Sequence, residues 1–156
     1  PGIYGDSFDS TLLLRDTFKL AVHKDHPLAK RTSVRLADVA DERFIVLLKG
    51  QPFRTQTDLI FADLGITPHY IMECDHLLRR ELINANAGIS IASHSASFRH
   101  LFNDDIRFLD LEDVHRTRDI VLVRQKDRYL SRAARSFAAY LKQKFSVDGP
   151  APATAP

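Results

Sequence analysis

The segment Phe18-Lys19-Leu20-Ala21-Val22-His23-Lys24-Asp25-His26-Pro27-Leu28-Ala29 constrains the fold more than any other stretch of this chain. Phe18, Leu20 and Val22 alternate with Lys19, Ala21 and His23, the period-two pattern of a strand. The pattern stops at His26-Pro27, because a proline forces the residue before it out of the helical region. Helical and strand-like stretches alternate downstream, so this strand reads as the entry into an α/β unit with a mostly parallel sheet.

The stretches on either side follow from the same rules. Pro1 to Ser10, rich in Gly, Ser and Asp, reads as loop, and Leu12-Leu13-Leu14 leads into the opening strand. Ser33 to Val39 reads as a short helical turn packing Leu36 and Val39. Phe44-Ile45-Val46-Leu47-Leu48 is apolar on both alternating faces, which suits a strand covered on both sides. Phe53, Thr57, Ile60, Phe61 and Leu64 then recur at helical spacing, and Gly65, Ile66 and Pro68 mark the helix end. His69 to Glu73 is a strand candidate, followed by a helix with Asp75 as N-cap and Leu78, Leu82 and Ala85 on its apolar face, broken at Gly88. Ile89 to Ala92 and Ile106 to Leu109 read as strands, with a weaker helix over Ser95 to Phe102 between them. Asp119 to Arg124 is a further apolar strand. A final helix, capped by Ser131, carries Leu130, Ala134, Phe137, Leu141 and Phe145 as its stripe.

Composition narrows the class. At 156 residues, 44% hydrophobic and 27% charged, the chain has enough apolar sequence for a real core. A net charge of +2 gives no argument for a nucleic-acid or membrane surface. Cys74 is the one cysteine, so no intrachain disulfide forms and no oxidising compartment is implied. No apolar run approaches the roughly 20 residues of a bilayer span, and no signal-peptide pattern opens the chain. The absence of an initial Met predicts a fragment of a longer protein.

In parallel sheets ligands bind beyond the carboxyl ends of strands, where helix N-termini present free N–H groups. Two places fit: Leu48 to Arg54 between one strand and its helix, and Glu73 to His76 between the next pair. Such geometry suits a small anion, especially a carboxylate.

Several of these stretches together resemble the effector-binding domain of LysR-type transcriptional regulators. The strand running into His26-Pro27-Leu28-Ala29 resembles that family's signature, as do Val34-Arg35-Leu36-Ala37-Asp38-Val39 and the Arg43-Phe44-Ile45-Val46 strand that follows. Ile60 to Pro68 resembles its helix end, and Asn84 to Ile91 occupies the place of its glycine turn. Asn86 stands where the family usually has a first glycine, and Ser93 where it usually has proline. The resemblance covers roughly Leu12 to Phe145.

It implies a type II periplasmic-binding-protein-like α/β fold, with one complete lobe and the C-terminal part of the other. Residues 1–17 would end the first lobe and cross over, and 18–112 would form the second lobe. Residues 113–146 would return a strand and helix to the first lobe, and 147–156 would be a disordered tail. The first half of the first lobe and a DNA-contacting helix-turn-helix would lie outside this chain. Ile120 to Val123 and the last helix would then lack sheet partners, so the fragment is expected to associate with another chain or to expose an apolar patch.

The resemblance also implies a function: effector sensing and oligomerisation in a cytoplasmic regulator, with a small anionic metabolite held between lobes. Partners would be that effector, further copies as dimer or tetramer, and DNA only through the missing segment, with no membrane, no cofactor and no catalysis. The alternative is a lobe of a solute-binding protein or enzyme of the same fold. A helix-turn-helix upstream would mark the regulator, and an apolar signal segment the binding protein.

The candidate ligand residues are Lys49, Gly50, Gln51, Phe53, Cys74, Asp75 and His94. Gly50 would let backbone N–H groups approach a ligand, Gln51 offers both a donor and an acceptor, and Phe53 an apolar wall. Each has a plainer reading: a solvated loop for 49–53, a helix cap for Asp75, packing for Cys74, a capped helix start at His94 and its serine neighbours. A metal site is not expected, since His23 and His26 share no helix face and no ligand-spaced Cys or His-Glu-x-x-His motif occurs. A hydrolase is not expected either, because Ser93, His94 and Ser95 are neighbours rather than a triad and no nucleophile elbow is present.

Overall fold

The structure is a computed structural model that describes residues 5–93 and 102–145. Its elements run β1 (Phe8–His23), β2 (Ser33–Val34), β3 (Phe44–Leu47), α1 (Pro52–Asp63), β4 (Tyr70–Cys74), α2 (His76–Asn84), β5 (Ser90–Ser93), β6 (Ile106–Leu111), β7 (Thr117–Gln125) and α3 (Arg132–Lys144). Short 3-10 turns cover Pro27–Lys30 and Leu36–Val39. The stretch from Ser33 read as helical turn is thus first a short strand and then a turn. The chain divides into two units, Thr17–Arg116 and Pro1–Asp16 with Thr117–Pro156.

In the larger unit the apolar run becomes β3, buried at all four positions. It pairs in parallel with β4, from Phe44 opposite Tyr70 to Leu47 opposite Cys74. It also exchanges bonds with the chain before β5: Ile45 N–H donates to the Ile89 carbonyl (2.8 Å), and Ile89 N–H to that of Arg43 (2.8 Å). β2 pairs in parallel with β6, but β1 is antiparallel to both β5 and β6. The sheet is therefore mixed rather than mostly parallel. The alternation along Phe18–His23 already carried this difference, because continuous apolar runs belong to parallel strands and alternation to antiparallel ones.

Two apolar clusters fill the unit. Leu20, Leu36, Phe44, Ile60, Ile89 and Leu109 belong to one, while Ala21, Ile45, Ile83 and Ala92 belong to the other. The neighbours Phe44 and Ile45 thus enter different clusters, as the strand period of two demands.

Both helices leave through the same device. Gly65, at φ 65°, follows α1, with Ile66 N–H donating to Phe61 and Gly65 N–H to Ala62. Asn86, at φ 53°, follows α2, with Ala87 N–H donating to Leu82 and Asn86 N–H to Ile83. These are Schellman closures, and asparagine is the usual second choice after glycine for the left-handed position. Asn86, not Gly88, ends α2. Gly88 has another task, since a Cβ there would collide with the Arg43 carbonyl oxygen.

The apolar face assigned to α2 needs correcting as well. Leu78 and Ala85 are exposed and Leu82 is half-buried, whereas Arg79 and Ile83 are buried. The helix is rotated by about one residue from its hydrophobic pattern, because Arg79 reaches under β5 and donates from Nη1 to the Ile91 carbonyl (3.2 Å).

In the smaller unit the strand begins at Phe8, so the loop expected through Ser10 ends earlier. β7 pairs with β1. Arg15–Asp119 (2.8 Å), Asp16–Arg118 (2.9 Å) and Asp9–Arg124 (2.5 Å) link the two strands. Among its described residues only Leu13 and Asp16 are buried. Ser131 caps α3 through the Ala134 N–H (3.1 Å) as expected, but Phe137, placed on the apolar stripe, is 61% exposed. Ala138 takes the half-buried position instead. The helix expected over 95–102 falls almost wholly, and the tail over 147–156 wholly, outside the described residues.

Candidate functional site

β3 and β4 run side by side in the same direction, so their carboxyl ends deliver two helix starts to one place. Leu48 N–H donates to the Cys74 carbonyl (3.0 Å), tying the first residue of one loop to the last residue of the other strand. Lys49, Gly50, Gln51 and Phe53 are thereby brought beside Cys74 and Asp75. His94 lies outside the described residues.

The first loop is open. Lys49 and Gly50 are exposed and Gln51 is half-buried. Gly50 sits at φ 88° with nothing near the position of a Cβ, so its glycine serves the backbone turn. Gln51 holds the N-cap position of α1 without a side-chain cap bond, and Pro52 follows at the first helical position. The first backbone bond of the helix runs from Thr55 N–H to the Gln51 carbonyl (3.1 Å). The N–H groups of Phe53 and Arg54 precede it and have no partner within the helix.

The second loop is closed. The Asp75 carboxylate accepts the Leu78 N–H (2.9 Å) and caps α2. Cys74 is buried, with its thiol 3.8 Å from the Val46 carbonyl, and burial pushes its pKa up, so it stays a thiol. In this structure both residues serve the fold.

Two buried arginines outside the set of candidate ligand residues stand beside these loops. Arg54 is buried and donates from Nε to Asp58 (2.7 Å) and from Nη1 to the Leu47 carbonyl (2.8 Å). Its Nη1 also meets Glu73 at 3.2 Å. Burial opposes its charge, but the hydrogen bonds and charges of Asp58 and Glu73 outweigh that, and its pKa lies above the usual value. Tyr70 shares Asp58 through its hydroxyl (3.1 Å), lies under the Arg54 guanidinium at 4.9 Å, and is pushed up to about 12 by burial and then by that hydrogen bond. Arg54 therefore links the ends of β3 and β4. The signal was present, since Arg54 falls on the same helical face as Thr57 and Phe61.

Arg79 has no such carboxylate partner among the described residues. It is 7% exposed, with its guanidinium 5.5 Å from the Phe53 ring, and burial pushes it down to about 10. Phe53, 6% exposed, is held between Arg79 and Phe18, whose ring centroid lies 5.6 Å away. A small cavity of about 10 Å³, lined by Phe53, Thr57, Arg79, Ser90 and Ile91 among others, lies at this junction.

No group of three or more His, Cys, Asp or Glu among the described residues is placed to hold a metal ion. No helix among them is long and apolar enough to cross a membrane.

A mixed-sheet unit with two helix starts at one strand end agrees with what the chain is similar to. The family model for the LysR substrate binding domain matches residues 2–146, and the chain belongs to that family. The uncharacterized HTH-type transcriptional regulator YwbI of Bacillus subtilis is 31% identical over 140 residues, covering 88% of this chain and 46% of its own length. The chain thus spans about half of that relative. The effector binding domain of BenM, a regulator of Acinetobacter baylyi, solved with its effector benzoate, is 26% identical with a TM-score of 0.73. That likeness covers 100% of this chain and 70% of the other. The Synechocystis PCC6803 CcmR regulatory domain in complex with 2-PG, at 19% identity and TM-score 0.78 over 91% of this chain and 69% of that one, shares the fold. The fold is therefore the type II periplasmic-binding-protein-like α/β architecture.

Proposed function

We propose that this chain is the effector-sensing domain of a LysR-type transcriptional regulator, and that it binds a small anionic metabolite at the carboxyl ends of β3 and β4. The observation that carries this reading is the open start of α1, where Gly50 turns the backbone and no side chain caps the helix. A helix N-terminus in that state favours an anion through its free N–H groups and its partial positive charge. Gln51 and Lys49 flank the position, and Phe53 walls it. Cys74 and Asp75 stand beside it in their structural roles. The benzoate of the BenM domain is a carboxylate, the class of ligand such a site takes.

In this reading the domain needs no metal and no catalysis, and it acts in the cytoplasm as part of an oligomer. Residues 18–112 make one lobe, and residues 1–17 and 113–146 belong to the other. The ligand acts by binding one arrangement of the regulator better than another, so that its population rises. Contact with DNA belongs to a segment outside this chain.

A thermal-shift screen of the intact regulator against carboxylates, amino acids and inorganic anions tests the reading, since a ligand of the native state raises the midpoint by mass action. Gln51→Ala should diminish the shift while changing basal stability by no more than about 0.5 kcal/mol. An unchanged shift removes this loop from the site.

A further inference from the structure

A buried guanidinium without a carboxylate is the least explained group in this unit. Among the described residues Arg79 makes one hydrogen bond, from Nη1 to the Ile91 carbonyl (3.2 Å). Its Nε is buried with no partner, and no ion pair reaches it among the described residues. The contrast with Arg54 is direct, because that arginine, also buried, has two carboxylates. A buried donor left unpaired is destabilising, and a buried charge left uncompensated more so. Such a group survives where something absent from the protein itself completes it.

Its surroundings indicate what that is. Arg79 packs against Phe53, in the first turn of α1, and both line the cavity of about 10 Å³ together with Thr57 and Ser90. That volume takes one water-sized atom and no more, which is the size of one carboxylate oxygen. The Thr57 hydroxyl donates to the Arg54 carbonyl (2.8 Å) and the Ser90 hydroxyl to that of Ile91 (3.2 Å). Arg79 is therefore the one charged donor among the described residues that line this space.

We propose that Arg79 reads the acid group of the ligand: one oxygen of a small carboxylate enters the cavity and accepts the Nε–H, while the rest of the molecule lies past Phe53 at the start of α1. The inference rests on the reading given under Proposed function and adds to it the charge that selects an acid over its neutral isostere. Arginine suits the task because its charge persists when buried and makes the free Nε–H a strong, charge-assisted donor. At about 10, the lowered value of Arg79 still leaves it protonated at neutral pH.

Formate and formamide, matched in size and differing in charge, are the probes. Formate should raise the thermal midpoint of the intact regulator by roughly 3–5 °C when it stands about tenfold above its dissociation constant. Formamide should not, and Arg79→Gln should abolish the difference. Crystals of the wild-type chain soaked in sodium formate give an answer that needs no variant, namely a formate oxygen within hydrogen-bonding range of Arg79 Nε. A formate shift that persists in Arg79→Gln, or a cavity holding only water in the formate-soaked crystals, overturns the inference and leaves the α1 reading standing. If no anion, formate included, shifts the wild-type protein, both fall together.

Discussion

The starts of α1 and α2 lie at the ends of two neighbouring parallel strands, yet they are finished in opposite ways. At α2 the chain supplies its own anion, as Asp75 bonds the Leu78 N–H and sets a negative charge against the helix dipole. At α1 it supplies none: Gln51 makes no cap bond, Pro52 takes the first position, and no acidic residue stands in the first turn. Two buried arginines stand by this start, Arg54 in the first turn of α1 with carboxylates and Arg79 against Phe53 with none among the described residues. Two helix starts of the same geometry thus present different electrostatic faces, and the one that lacks a resident carboxylate is the one suited to an incoming one.

The largest effect should come from cutting the link between the two starts. Arg54→Met leaves the buried Leu47 carbonyl without its donor and Asp58 and Glu73 without their shared cation, which should cost about 1–3 kcal/mol, because both carboxylates reach solvent and their charges stay hydrated. Urea denaturation measures it. A loss below about 1 kcal/mol would mean that the network behaves like a surface ion pair, and that the two loops are positioned independently.

Much of this asymmetry could be read before the structure, and the part that could not has a physical cause. The N-cap role of Asp75, the closure at Gly65 and the doubly buried β3 follow from local chemistry, which the sequence displays directly. The direction of β1 required weighing its alternation against the α/β order of the elements, and there the local pattern was the better guide. The apolar pattern misplaces the buried face of α2, because a charged residue decides it. Leu77, at 61% exposure, faces outward while Arg79 turns inward to the Ile91 carbonyl. No count of apolar residues finds a guanidinium whose burial depends on a strand eleven or more positions away in sequence. Asn86 was visible as a departure from the glycine pattern, and its φ of 53° shows that the turn is kept with a different residue.

A middle-sized effect separates capping from recognition. Asp75→Ala should destabilise the domain by about 1 kcal/mol through the lost cap, yet leave the anion-induced thermal shift intact or larger, because a competing negative charge has gone. If instead the shift disappears while stability falls by only that amount, Asp75 contacts the ligand, and the division between a structural start and a binding start is wrong.

The smallest change in stability should give the sharpest answer about the site. Gln51→Asp writes the α2 solution onto α1: the new carboxylate can accept the N–H of a first-turn residue and is favoured by the helix dipole. A gain of about 0.5–1 kcal/mol is expected. The same carboxylate occupies the place proposed for the ligand and repels any anion that approaches. Urea denaturation should therefore show a slightly more stable protein, while thermal shift shows one that no longer responds to carboxylates. A variant that gains stability and still responds in full would show that the open start of α1 is an uncapped helix end and nothing more, leaving Arg79 to be tested by itself.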